Sequence, residues 1–173
     1  MIQLTEFKEE DINQLISWVT NMEDLLSWAG NQFSFPLDPY ELNKYFQNFK
    51  NKPENFKAFN IELKDLKIGH CELANINTIE EKSGFIAKTY LKKEHRQKGY
   101  GVLAMTKLLN YGFGFLNRII LGVMENNGPA IKCYEKIGFT LVKEKTSSFE
   151  IEGKLYKVLW MDLRKEKYNK LTY

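Results

Sequence analysis

One segment constrains the fold of this chain more than any other. A strand pattern ends at Leu91, a run of mostly charged residues follows, and two glycines, Gly99 and Gly101, stand where an apolar helix pattern begins. The first four N–H groups of a helix lack partners within the helix, and with the helix dipole they attract anions. Glycine lets a bulky phosphate approach the backbone, and Arg96 and Lys98 would add positive charge at the rim. The segment therefore predicts a strand–loop–helix unit that can bind a diphosphate.

Three alternatives compete with a diphosphate site at this segment. A charged loop with a tight glycine turn can simply be solvated. A P-loop requires Gly-x-x-x-x-Gly-Lys-Ser/Thr, which the sequence lacks. Residues 99–104 do satisfy the G-x-G-x-x-A of a dinucleotide-binding turn, but that turn follows its strand directly, whereas seven residues separate Leu91 from Gly99 here.

The other patterns predict one α/β domain over residues 1–173, with helices early and a central sheet after them. Residues 1–52 are expected to be mainly helical, 54–164 to form the sheet and the core, and 165–173 to be a frayed polar tail. Strand patterns cover 2–7, 56–63, 68–76, 83–91, 119–124 and 139–145, and a hairpin joins 148–151 to 155–163 through Glu152-Gly153. Helix patterns cover 8–19, 21–29, 38–49, about 99–116, and 127–137, which Gly138 ends.

Composition excludes several classes of protein. The chain is 43% hydrophobic, which suffices for a core, and its 25 basic and 22 acidic residues are too balanced for a nucleic-acid arm or a polybasic membrane anchor. Two cysteines and two histidines are too few for a disulfide framework or a metal centre. No secretory signal and no membrane-spanning apolar run is visible. We therefore expect a cytoplasmic protein with no metal, no nucleic-acid partner and no membrane partner.

Two sequence blocks resemble one known family. Residues 96–101 are similar to Arg/Gln-x-x-Gly-x-Gly/Ala, the signature of the GNAT superfamily of acyl-CoA-dependent N-acyltransferases. Residues 127–139 match its second block, Asn-x-x-Ala-x-x-x-Tyr-Glu-Lys-x-Gly-Phe, at every named position. The similarity is close over about 68–145 and loose in the N-terminal third. Within the family, the chain looks most like the bacterial subgroup similar to ribosomal-protein N-terminal acetyltransferases.

The resemblance implies a fold and a cofactor. The fold is a single domain with a mixed, mostly antiparallel sheet, helices on both faces, and a splayed strand pair that admits acetyl-CoA. The resemblance also implies a diphosphate held by the N–H groups of 97–102. Asn127 is of a residue type that commonly caps the start of a helix, and in the family the residue at this position often contacts the cofactor. The expected cofactor contacts are Tyr90, Leu91, Arg96, Gln97, Lys98, Gly99, Tyr100, Gly101, Val102, Asn127 and Tyr134.

The implied reaction is aminolysis of a thioester by direct attack in a ternary complex. The Leu91 N–H is the expected oxyanion donor, unless it is an ordinary donor within the sheet. Tyr134 is the expected acid for the departing sulfur, and its alternative role is core packing. Glu72 is the first candidate for the general base, because burial in an apolar strand would raise its pKa. His70 shares its face; a water chain or a solvent-facing pair are the alternatives.

The acceptor is expected to be a primary amine, either a small molecule or a peptide. Trp28, Phe33 and Phe35 are predicted to line its cleft together with Glu72, although core packing is an alternative for each aromatic residue. The resemblance also implies a homodimer. The alternative function, from a different class, is a catalytically silent acyl-CoA-binding module that acts as a sensor or partner.

Overall fold

The structure is a computed structural model that describes residues 1–50, 52–79 and 81–172. Its strands are β1 (Ile2–Glu6), β2 (Lys57–Leu63), β3 (Leu66–Asn77), β4 (Ser83–Leu91), β5 (Arg118–Met124), β6 (Thr140–Ile151) and β7 (Lys154–Arg164). Its helices are α1 (Ile12–Trp18), α2 (Met22–Ala29), α3 (Pro39–Lys50), α4 (Tyr100–Gly112), α5 (Gly128–Ile137) and α6 (Lys165–Thr172). None of these helices is long and apolar enough to cross a bilayer.

The strands form one sheet in the order β1-β2-β3-β4-β5-β7-β6. The pairing of β4 with β5 is parallel, and the other pairings in the described chain are antiparallel. The parallel pairing stops at Ile86 and Leu121. Beyond that point β4 stays with β3 as far as Leu91, whereas β5 stays with β7 as far as Met124. The mixed, mostly antiparallel sheet with a splayed central pair is therefore confirmed.

Helices cover both faces of the sheet, and each face has its own apolar core. One core contains the buried faces of α4 and α5, including Leu108, Leu109 and Ile137. The other core lies under α1, α2 and α3, with Leu15 and Leu42 fully buried. Because successive strand residues point to opposite faces, β4 contributes to both cores.

Capping and turn residues in the sequence predicted the ends of most helices and strands closely. Asn21 and Asn127 accept hydrogen bonds from backbone N–H groups at the starts of α2 and α5, and Gly138 ends α5 in the left-handed region. The turn at Glu152-Gly153 is also confirmed, since both residues have positive φ. The prediction of two separate strands over 139–151 is wrong, because β6 is one continuous strand. Its pairing with β7 changes register between Leu141 and Thr146, near the break that the sequence predicted.

The predicted frayed tail is wrong for residues 165–172, which form α6. Tyr168 is only 4% exposed, its ring packs against Phe113, and its hydroxyl hydrogen-bonds with the side-chain oxygen of Asn110 at 2.8 Å. A polar segment with one well-placed aromatic residue can dock onto a core, and composition alone did not reveal that docking site.

Candidate active site

A cleft of about 1200 Å³ opens where β4 and β5 part. The ends of these two strands form its sides, and it is further bounded by the C-terminal half of α2, the start of α4, and α5. The β6–β7 hairpin supplies Ser147, Ser148, Phe149, Val158 and Trp160. The sheet pairing thus creates a channel between two strands that a thioester arm could enter.

The start of α4 forms the end of the cleft where the sequence predicts that an anion binds. Gly99 is the N-cap residue with φ +80°, and no side chain caps the helix there. A Cβ on Gly101 would have as its nearest neighbours Cys133 Sγ at 3.5 Å and Leu91 Cδ1 at 3.6 Å, which are ordinary contacts. Packing within the chain therefore does not require glycine at position 101, and without a side-chain cap the first N–H groups of the helix are open to an anion.

The charged loop is organised differently from the prediction. The Arg96 Nε donates to the Leu91 carbonyl oxygen at 2.7 Å, and its guanidinium lies 3.4 Å from Asp24. The ammonium of Lys93 also pairs with Asp24, at 2.9 Å. Arg96 therefore ties the loop to α2 rather than projecting freely at a phosphate. Lys98 and Tyr100 are not among the residues that line the cleft, so their cofactor contacts remain predictions.

The N–H of Leu91 points into the gap between the strands. The Lys92 N–H donates to the Ile68 carbonyl at 2.9 Å. Leu91, the residue before Lys92 and the last of β4, lies opposite Gly69. Residue pairs in an antiparallel ladder alternate between hydrogen-bonded and non-hydrogen-bonded, so the Leu91 N–H faces away from β3. Since β5 has already diverged, this donor is directed at the cleft.

Tyr134 lies on α5 and lines the same cleft. Burial raises the pKa of its hydroxyl to about 12, although a hydrogen bond with Thr89 opposes the shift. The phenol therefore stays protonated near neutral pH and can donate a hydrogen bond. Asn127 at the start of α5 serves as the helix cap, and its amide also donates to Ser27 Oγ of α2 at 2.9 Å.

Glu72 lies in a buried cluster behind the cleft rather than in its lining. It accepts hydrogen bonds from Tyr45 at 2.7 Å and lies 3.0 Å from the His70 Nε2, so the shared face of Glu72 and His70 is confirmed. Burial alone would raise its pKa, but the nearby Lys88 ammonium and the bonds from His70 and Tyr45 outweigh burial and lower it. The expected raised pKa is therefore wrong.

Of the three aromatic residues predicted at the acceptor cleft, only Trp28 lines it. Its indole N–H donates to the Lys88 carbonyl at 2.9 Å. Phe33 instead stacks on Trp28 and meets the edge of Tyr45 in the core. Phe35 is 38% exposed and lies outside the cleft lining. The prediction is wrong for these two residues because the aromatic loop folds its ring inward at 33 and outward at 35.

Lys88 was missed by sequence reasoning although a signal was present. It is the one charged residue in the otherwise uncharged strand 83–91, and it lines the cleft. Phe85 and Trp160 were also missed, and their rings meet at 5.5 Å across β4 and the hairpin. No local pattern identifies that contact, since 74 positions separate the two residues. In the described part of the chain, no group of three or more His, Cys, Asp or Glu side chains could hold a metal ion.

Comparison with known proteins agrees with this geometry. Residues 2–140 match the model of the acetyltransferase (GNAT) domain family. The spermidine N(1)-acetyltransferase of Escherichia coli K12 is 24% identical over 169 residues, which cover 96% of this chain and 88% of that protein. The enzyme of the same name from Vibrio cholerae is 32% identical over 103 residues, 58% of each chain.

Solved structures show the same fold. Spermidine N-acetyltransferase from Vibrio cholerae in complex with CoA and spermine superimposes with a TM-score of 0.82 at 24% identity, covering 97% of this chain and 98% of that one. Mycobacterium smegmatis RimJ in complex with CoA-disulfide has a TM-score of 0.77 at 16% identity, covering 95% and 82%. The ribosomal-protein subgroup is thus not singled out, because the curated relatives carry a different name. The chain belongs to the GNAT acetyltransferase family, and it is an enzyme that binds acetyl-CoA and transfers the acetyl group to an amine.

Proposed function

We propose that this enzyme acetylates a small primary amine by direct attack on acetyl-CoA, with the thioester held where β4 and β5 part. The observation that carries the proposal is the end of strand pairing at Ile86 and Leu121. It brings the Leu91 N–H, the start of α4 and the Tyr134 hydroxyl around one cleft. A thioester that enters this gap meets a donor for its oxygen and a donor for its sulfur.

The start of α4 would hold the diphosphate of the cofactor. Backbone N–H groups of residues 97–102 and the positive end of the helix dipole favour a dianionic group. Gln97 lies in the left-handed region with φ +58° and Gly99 with φ +80°, which turns successive N–H groups toward one side. The pantetheine arm then runs along the free edge of β4. The carbonyl oxygen accepts from the Leu91 N–H, which stabilises the oxyanion of the tetrahedral intermediate.

Tyr134 would assist the leaving group. The amine nitrogen forms a bond with the acetyl carbon, the C–S bond breaks, and the sulfur takes the electron pair. A thiol has a pKa of about 8.5, whereas burial raises the pKa of Tyr134 to about 12. Tyr134 therefore remains the protonated partner and stabilises the departing thiolate mainly through a hydrogen bond. The presence of this tyrosine supports an active enzyme over a silent acyl-CoA-binding module.

Water in the cleft would accept the proton that the amine loses. Among the described residues that line the cleft, Asp24 is the one carboxylate, and Lys93 and Arg96 neutralise it. Glu72 is fully buried, so a proton could reach it only through Lys88 or Tyr45. These contacts favour the water-chain alternative over Glu72 or His70 as the base.

The acceptor class is suggested by the relatives. Their names make spermidine the first amine to test, and protein N-termini are the second class, through the fold shared with RimJ. One solved neighbour from Vibrio cholerae is dodecameric. We therefore propose that this chain also self-associates, as a homodimer or a larger assembly, which light scattering after size exclusion would measure.

The function is tested by following thiol release from acetyl-CoA with polyamines, aminoglycosides, amino acids and peptides as acceptors. The expected result is thiol release that depends on the amine, with a product heavier by one acetyl group in mass spectrometry. Calorimetric binding of CoA without turnover on any amine would instead establish the silent binding module.

A further inference from the structure

A bulge in β4 sets the direction of two functional side chains. Lys88 and Thr89 of β4 together oppose one residue of β3, Cys71, because the register shifts between the pairs on either side. Lys88 takes φ +44°, which is uncommon for a residue with a side chain. Ala87 and Lys88 consequently both face α1, α2 and α3, and Thr89 points to the other face of the sheet, toward Tyr134.

The bulge is held in place by contacts on that face. The Trp28 indole donates to the Lys88 carbonyl, and the Lys88 ammonium donates to the Tyr45 hydroxyl at 2.6 Å. The ammonium also lies 3.5 Å from Glu72 and 4.1 Å from the centre of the Tyr45 ring. An ammonium has three N–H donors, and Tyr45 and Glu72 account for two of them, which leaves one for a ligand.

The two residues of this ion pair lie on neighbouring strands, Lys88 on β4 at the edge of the cleft and Glu72 on β3 behind it. Lys88 lines the cleft, whereas Glu72 is fully buried behind it and does not. A group bound on the acceptor side is therefore closer to the ammonium than to the carboxylate. Because this site is largely buried, the difference between the two Coulomb energies is not removed by solvent.

No other charge in the described lining offsets this ammonium. The carboxylate of Asp24 is engaged by Lys93 and Arg96. The acceptor side is otherwise uncharged, with aromatic, hydroxyl and amide side chains, namely Trp28, Asn31, Gln32, Phe85, Ser147, Ser148, Phe149 and Trp160. A further cation, Lys145, lies 3.9 Å from the centre of the Trp160 ring.

We propose that Lys88 determines the acceptor specificity of this enzyme, and that the preferred acceptor is an amine that also carries an acidic group, such as a carboxylate, rather than a polycation. This inference rests on the proposed function. The acidic group accepts the remaining N–H of Lys88 and gains from its charge, whereas a second ammonium on the acceptor is repelled.

The test uses acceptors that differ only in their far end: 5-aminopentanoate, 5-aminopentanamide and 1,5-diaminopentane, with spermidine added. The measured quantity is kcat/KM, or the inhibition constant for a compound that is not acetylated. We expect the acid to exceed the amide, and the amide to exceed the diamine, by about tenfold each. A wild-type enzyme that prefers the diamine or spermidine would overturn the proposal.

Variants assign the preference to Lys88. Lys88→Met leaves the Glu72 carboxylate nearest the cleft, so the order of acceptors is expected to reverse. The double variant Lys88→Met/Glu72→Gln removes both charges and should bring the three acceptors within about threefold of each other. An unchanged order in the double variant would refute the assignment. CoA affinity measured by calorimetry verifies that the cleft is intact.

If the variants do not fold, the wild-type enzyme still decides the question. Its preference for the acid is expected to persist as salt rises from about 0.02 to 0.5 M, because a buried charge is screened much less than an exposed one, and a preference that disappears at high salt would contradict the proposal. Failure of the proposed function is distinguishable, since it would show CoA binding with no thiol release for any amine.

Discussion

Replacement of Gly101 by alanine should leave the stability and the cofactor affinity of this enzyme nearly unchanged, whereas replacement of Gly99 should lower both. The added methyl group would meet Cys133 Sγ at 3.5 Å and Leu91 Cδ1 at 3.6 Å, which are contacts without strain. Position 101 lies in the first turn of α4 with ordinary helical backbone. Alanine is favoured over glycine in helices by up to about 1 kcal/mol, so the melting temperature should stay the same or rise by about 2 °C.

The same methyl group should leave CoA binding nearly unchanged. It would lie between Cys133 and Leu91, inside the protein, and the family signature that residues 96–101 resemble accepts Gly or Ala at this position. A methyl group at position 99 would instead lie on the open side of the turn whose N–H groups are expected to hold the diphosphate. Each hydrogen bond to a charged group contributes about 1.5–3 kcal/mol, so the loss of one such bond in Gly99→Ala predicts a dissociation constant about 10- to 100-fold higher. Calorimetric titration with CoA and thermal unfolding of the same samples measure both quantities.

Gly101→Ala is the matched control for Gly99→Ala, because it adds the same methyl group two residues away. Gly99 has φ +80° and no atom within 4 Å of the added methyl group, so the cost to stability is conformational, about 1–2 kcal/mol, and the melting temperature should fall. The reasoning about α4 fails if Gly99→Ala binds CoA as tightly as the wild type, or if Gly101→Ala is destabilised as much as Gly99→Ala.

Three further predictions concern single side chains. Tyr134→Phe should lower kcat about 100-fold with little change in CoA affinity. The control Tyr168→Phe, which removes a hydroxyl far from the cleft, should leave kcat unchanged. Wild-type kcat of Tyr134→Phe in steady-state kinetics would contradict the role of Tyr134 as an acid. Burial raises the pKa of Asp11, but the ion pair with Lys67 and the bond from Asn60 outweigh burial and lower it, so its carboxylate stabilises the fold above its unfolded pKa of about 4 and ceases to as pH falls through the folded value. In urea titrations, the stability difference between wild type and Asp11→Asn should therefore be present at pH 7 and shrink progressively as the pH falls below about 4; a constant difference would contradict the assignment. Tyr168→Ala should cost about 3 kcal/mol in unfolding free energy, and an unchanged value would show that α6 contributes nothing to the fold.

The cofactor end of the cleft was largely readable from the chain, because its signals are local. An anion site at a helix start needs only a strand end, a turn and glycines in succession, and residues 91–102 supply all three. The cap at Asn127 and the stop at Gly138 are likewise set by neighbours within a few residues. Lys98 and Tyr100 were predicted to contact the cofactor but do not line the cleft. Which side chains of a turn face a cleft depends on how the turn packs.

The acceptor side was much less readable. The pKa of Glu72 was expected to be raised, but it is lowered. An apolar strand pattern predicts the burial of Glu72, whereas its partners Tyr45 and Lys88 come from distant parts of the chain and cannot be predicted from that pattern. Phe33 and Phe35 are aromatic and close to Trp28 in the sequence, yet of the three only Trp28 lines the cleft.

Residue order alone thus establishes the family and the α/β class and predicts a diphosphate-binding turn, because hydrophobic period, helix caps and glycine backbone act over short stretches of chain. The lining of the acceptor cleft depends on the folded molecule. One extra residue in β4 places Lys88 on the same face as Ala87, and the hairpin return brings Trp160 beside Phe85. Such contacts join residues far apart in the chain, so they exist only once the sheet register is set.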